Sequence, residues 1–223
     1  MKTDGSDRKM LAENYGVHPS ANRSGDLIAY VSSAGGAHHI WLINSDGQNN
    51  HQLTTGEGEI YPNISPDGQW VFYVSRAQDR GTLWKIPTIG GPAVQLTFAG
   101  IIMNPIVSPD SKKIACTYRA DEGDRWKIAI LPIDGGAPQQ TFALPSAFYQ
   151  VIRWTSDSSA ITYLDKRDGA QNIWCQPLNG GSPVQLTQFK EDSILHYDWA
   201  AENRFIVSRG GRRRDVVIMK NVD

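Results

Sequence analysis

"SPDGQWVFYVS", Ser65 to Ser75, runs a Ser-Pro-Asp-Gly turn straight into a dense strand-like segment. Standing alone, Asp67 reads as chemistry, either a calcium ligand or a catalytic carboxylate. The same opening returns as "SPDSKKIACTY" from Ser108. Recurrence at a fixed period favours structural punctuation over a single working site.

The period is visible along the whole chain. "YPNISPDGQWVFYVS" begins at Tyr61, and "NPIVSPDSKKIACTY" begins 43 residues later at Asn104. A step of 43 back gives "HPSANRSGDLIAYVS" from His18. Forward steps of 47 and 45 give "VIRWTSDSSAITYLD" from Val151 and "HYDWAAENRFIVSRG" from His196. A second block follows each first one: "HIWLINSDGQNNHQLT", "TLWKIPTIGGPAVQLT", "KIAILPIDGGAPQQTF", "NIWCQPLNGGSPVQLT" and a shorter "DVVIMKNVD". Five copies of four short segments, without helical periodicity, predict an all-β propeller of five four-stranded blades in a single domain over 1–223. The innermost strands are expected to start near 18, 61, 104, 151 and 196.

Each segment has a physical reading. Strand A follows a Pro, which is tolerated at a strand's first residue. In the A–B turn Pro presets φ, Asp accepts local backbone hydrogen bonds and Gly supplies positive φ. Strand B, "WVFYVS" or "LIAYVS", is apolar on both faces, as a sheet packed between two others requires. Strand C carries Trp41, Trp84 and Trp174 at matching places and leads into a Gly-Gly or Asp-Gly turn, and strand D ends in "QLT". "TDGSDRKML" at the N-terminus reads as a C–D turn plus strand D, the strand that the fifth copy lacks. Pairing of the first and last segments would close a five-bladed ring and protect its edges. A fragment of a six- or seven-bladed ring is the open alternative.

Composition sets further bounds. The formal net charge is -1 and 40% of residues are hydrophobic, so no global field draws the chain to nucleic acid or an anionic membrane. Cys116 and Cys175 are too few for a disulfide framework. The N-terminal stretch has no apolar core of a secretory signal, and no run approaches the ~20 apolar residues of a membrane span. Direct membrane insertion is not expected.

With "SPDG", the aromatic strand, "LW/IW", "GG" and "QLT" recurring in order, the repeat resembles the TolB-type, WD-repeat-like propeller family of bacteria. No Trp-Asp or Gly-His dipeptide makes it a true WD repeat. The resemblance implies one of three settings: a periplasmic Tol-system component that binds partner proteins, a lid over a serine peptidase, or a sensor module behind a bacterial kinase or winged-helix regulator. The tail "SRGGRRRDVVIMKNVD" resembles the ending of the sensor group. The resemblance favours a periplasmic location.

The candidate sites follow from repeat position. Asp67, Asp110 and Asp157 recur at one position, as turn residues do. "DEGDR" from Asp121 has Pro132 where a calcium loop needs its distal Glu. No nucleophile elbow, zinc-protease helix or phosphate loop is present. The expectation is a non-enzyme without cofactor or metal. His18 and His196 share the position before strand A with Tyr61, Asn104 and Val151. His38 and His39 are expected to be solvated in a B–C loop. Arg209 and Arg212–Arg214 form a basic loop tip too narrow for nucleic acid. The tryptophans of strands A and C read as interblade core.

With strands alternating in direction, the D–A and B–C loops share one face and the short repeated turns share the other. Variable loops on a rigid scaffold are where binding concentrates. The expected function is protein or peptide binding by a monomer through the D–A/B–C face. Its contact residues are His18, Tyr61, Asn104, Arg153, His196 and Asp198, with Arg212, Arg213 and Arg214 as a rim patch.

Overall fold

The computed structural model describes residues 10–11, 16–34, 36–77, 80–144, 151–167, 169–191, 193–200 and 204–210. They form eighteen strands: β1 Gly16–Ala21, β2 Leu27–Ser32, β3 His39–Asn44, β4 His51–Gln52, β5 Glu59–Ile64, β6 Trp70–Ser75, β7 Thr82–Pro87, β8 Val94–Gln95 and β9 Ile101–Val107, then β10 Lys113–Arg119, β11 Lys127–Pro132, β12 Gln140–Ala143, β13 Ile152–Trp154, β14 Ala160–Arg167, β15 Ala170–Pro177, β16 Val184–Gln185, β17 Ser193–Ala200 and β18 Arg204–Gly210. Neighbours in sequence are neighbours in space. Four sheets of four strands run in chain order, and β17 pairs with β18 in a fifth, two-stranded sheet. The expected blades are therefore present, the fifth through its A and B strands among the described residues. The segments invoked for ring closure, 1–9 and 211–223, lie outside the described residues.

Contacts divide the chain into two units. One comprises Met1–Leu144 with Trp154–Ile161, and the other Pro145–Arg153 with Thr162–Asp223. In the first unit one core lies between the first two sheets, where Val31, Ile40 and Leu42 meet Ile64, Val71 and Ile86. A second joins Phe72, Val74 and Leu83 to Ile102, Ile114 and Leu131 of the third sheet. The second unit packs Leu164 and Ile173 against Ile194 and Tyr197. Strand B explains this layering. All residues of β6 after Trp70 are buried, because alternate side chains enter the cores on both sides of its sheet.

The acidic turns spend their carboxylates locally. Asp67 Oδ1 accepts from the Ser65 hydroxyl and from the Gln69 amide at 3.0 Å, while Ser65 Oγ accepts from Trp70 N–H. Asp110 and Asp157 repeat the pattern with Ser108 and Thr155. The Ser108 turn is also tied to the next blade, as Asp110 N–H donates to Ser158 Oγ at 3.1 Å.

"QLT" has an equally local explanation. Thr54, Thr97 and Thr187 use Oγ1 to accept the N–H of Ile40, Leu83 and Ile173 near the start of strand C. The preceding Gln folds its amide onto the carbonyl of the same Thr. In the third sheet "QQTF" lacks that Thr, and strand D instead extends over Gln140–Ala143 to pair Ile128 with Phe142.

Candidate functional site

The residue before the strand-A proline sits on a bulge. His18, Tyr61 and Asn104 have φ of 53°, 55° and 51°, and pairing with strand B slips at the same place in each sheet. A positive φ is uncommon for non-Gly residues, and a following Pro narrows the choices further. The strain recurs with three different side chains, so the backbone is the constant and the side chain the variable. His18 and Tyr61 meet edge to face with ring centroids 4.6 Å apart. Partial burial, and then the charge of His38, lower the His18 pKa, although the residue as a whole remains exposed.

Two residues further on, the innermost strands are stitched together. Ser20 Oγ accepts from Ile64 N–H at 3.1 Å, and Asn63 Oδ1 accepts from Val107 N–H at 2.8 Å. Trp154 Nε1–H then donates to Ile106 O at 2.9 Å. In the second unit the same position carries an ion pair, Arg153 Nε to Asp198 Oδ1 at 3.1 Å. Behind it, burial raises the pKa of the Tyr197 phenol, which donates to Thr162 Oγ1 at 3.0 Å.

Two pairs of expected contact residues are thus brought together, His18 with Tyr61 and Arg153 with Asp198. His196 is exposed on β17, opposite Ser208. Arg212, Arg213 and Arg214 lie outside the described residues. Arg209 of the same basic cluster is committed to its neighbourhood, packed 3.9 Å from the Phe189 ring and donating to Glu191 O.

One expectation is overturned. His39 is not a solvated loop residue; it opens β3, and its Nδ1 lies 2.9 Å from Oε2 of Glu59. The Thr54 hydroxyl donates to the same oxygen at 2.9 Å. The reason is Glu59, only 3% exposed, a buried carboxylate that requires donors. Sequence reasoning missed Glu59. Its signal was a lone carboxylate in a repeat column otherwise filled by Gly16, Ile102, Tyr149 and Ile194.

Glu59 lines a cavity of about 380 Å³ within the first unit, walled by Leu53, Tyr73, Trp84 and Ile86 and bordered by the D–A loop residues Thr55, Gly56 and Glu57. Burial, and then the Glu59 charge, raise the Tyr73 pKa. Among the described residues no three His, Cys, Asp or Glu side chains are grouped to hold a metal ion.

Repeated four-stranded antiparallel sheets packed face to face, with their innermost strands stitched, define a β-propeller. The chain belongs to the dipeptidyl peptidase IV (DPP IV) N-terminal region family, whose model matches residues 6–122. It is similar in fold to TolB from Acinetobacter baumannii, with a TM-score of 0.66 and 20% identity over 77% of this chain and 43% of that one. Oligogalacturonate lyase from Vibrio parahaemolyticus gives 0.65 and 14% over 89% and 60%. Acylaminoacyl peptidase from Pyrococcus horikoshii gives 0.58 and 17% over 78% and 32%. The chain therefore spans less than two thirds of each of these proteins. No curated protein matches the sequence.

Proposed function

We propose that this propeller is a non-catalytic scaffold that binds a protein or peptide through its D–A/B–C loop face. The observation that carries the reading is the bulge inside strand A, at the residue before its proline. The sequence expectation that this residue precedes the strand is corrected at His18, Tyr61 and Asn104, which lie within β1, β5 and β9. The same left-handed backbone at His18, Tyr61 and Asn104 carries an imidazole, a phenol and an amide, with Tyr61 half-buried against the second core. A constant, strained pedestal under changing side chains suits recognition, because strain persists where the surrounding structure holds it for use. The Arg153–Asp198 pair of the second unit adds charge two residues beyond the corresponding repeat position.

The test is selection of peptides from a displayed library on the chain, followed by His18→Asn and Tyr61→Asn. Asn already occupies this backbone at residue 104 and tolerates positive φ, so these variants change the presented group without adding strain. A loss of about tenfold or more in affinity for selected peptides is expected. Unchanged affinity in both variants and in Arg153→Glu would overturn the reading.

The family match over residues 6–122 favours one second reading, a propeller module within a longer peptidase polypeptide. An antibody to this chain should then detect, in its source cells, a band well above 24.7 kDa. A single band at that mass would refute it.

A further inference from the structure

We propose that the cavity beside Glu59 receives an arginine side chain of a bound peptide, whose guanidinium meets the free carboxylate oxygen. The inference deepens the peptide-binding reading above and rests on it. Glu59 is nearly fully buried, yet only Oε2 is engaged, by Thr54 and His39. Oε1 takes no protein hydrogen bond among the described residues. It lies against Gly56, where any Cβ would collide with it, and both residues line the cavity. A carboxylate oxygen left unengaged in a cavity wall accepts an incoming N–H, and such a charge-assisted hydrogen bond is stronger than a neutral one.

The surroundings specify the donor. Among the described residues no Lys or Arg lines the cavity, and a second carboxylate, Glu57, stands exposed on its border, so the charge complement is a cation. The walls are the Trp84 and Tyr73 rings with Leu53 and Ile86. A guanidinium is flat, weakly hydrated and stacks on aromatic faces while donating from its edge. An ammonium is a compact, strongly hydrated charge and loses more on entering such walls. About 380 Å³ accommodates the aliphatic stem as well as the head. The D–A loop residues Thr55–Glu57 place the site beside the loops that the peptide-binding reading already uses.

The experiment titrates the isotope-labelled chain with acetyl-Gly-Arg-Gly-amide and with its citrulline counterpart, a neutral near-isostere. The arginine peptide should shift the Gly56 amide and the Trp84 indole signals, and the citrulline peptide should bind at least about tenfold more weakly. Glu59→Gln should abolish that preference. Ala93→Phe, which adds a bulky ring to the cavity lining, should block both peptides, and a native-like spectrum establishes that each variant is folded. Equal binding of the two peptides, or a preference retained in folded Glu59→Gln, overturns the proposal. Suppose library-selected peptides depend on His18 and Tyr61 but not on arginine: the pocket assignment falls and the face stands. If the arginine peptide docks in the cavity while no selected peptide senses His18 or Tyr61, the face falls and the pocket stands.

Discussion

Asn63 Oδ1 accepts the Val107 backbone N–H at 2.8 Å, a side chain of one innermost strand satisfying the main chain of the next. Asn63 Nδ2 also reaches back to Ser20 Oγ at 3.4 Å, so one residue joins three consecutive sheets. Asn63→Ala should cost about 1–2 kcal/mol, because it strands the Val107 N–H. Asn63→Asp, which keeps the acceptor, should recover most of the loss. Urea unfolding of the three proteins checks this, and equal midpoints would show that the stitch contributes nothing.

The acidic turns predict an acid limb. The Thr155 hydroxyl, then Ser159, hold Asp157 down from 3.8 to about 2, and Ser65 and then Gln69 lower Asp67. At Asp110 slight burial opposes the shift, and the Ser108 and Lys112 hydrogen bonds outweigh it. A carboxylate whose folded pKa is depressed contributes stability above its unfolded value, and loses it as pH falls through the folded one. Stability should therefore decline from near pH 3.8 toward about 2. Asp157→Asn, which keeps an acceptor but cannot titrate, should flatten that limb in acid-unfolding curves and leave neutral-pH spectra unchanged.

The "QLT" hook predicts a packing-neutral lesion. Thr97 is buried and its Oγ1 accepts Leu83 N–H at 2.9 Å. Thr97→Val preserves shape but leaves that amide unpaired, at about 1–3 kcal/mol. Hydrogen exchange at Leu83 should accelerate more than at Ile128, whose sheet uses backbone pairing at the corresponding place.

Repetition made much of this fold legible. Turn chemistry repeats with the motif, so three copies of a Ser/Thr-x-Asp turn identified one another as structure. Both-face burial of strand B followed from its unbroken apolar run. Two things did not follow. The left-handed bulge at His18, Tyr61 and Asn104 is invisible because no Gly marks it, and the residue before a Pro ordinarily reads as extended. The His39–Glu59 pair joins residues twenty apart from different blades, a proximity set by sheet packing rather than local pattern. Glu59 breaks an apolar repeat column, and departures from a column were a better guide to this site than the recurring motif was.

The paired glycines give the sharpest contrast. Gly135 and Gly136 have φ of 87° and 95°, so Ala at either is strained by about 1–3 kcal/mol. They differ in surroundings: a Cβ on Gly136 meets nothing within 4 Å, whereas one on Gly135 runs into the Leu96 carbonyl. That carbonyl accepts the Gly136 N–H at 2.8 Å, tying the third sheet's C–D turn to the second sheet's outer strand. Gly135→Ala must displace the carbonyl and break the tie. It should therefore be less stable than Gly136→Ala by at least about 1 kcal/mol, with faster exchange at the Gly136 amide. Equal denaturation midpoints for the two variants would show that the contact does not constrain the turn.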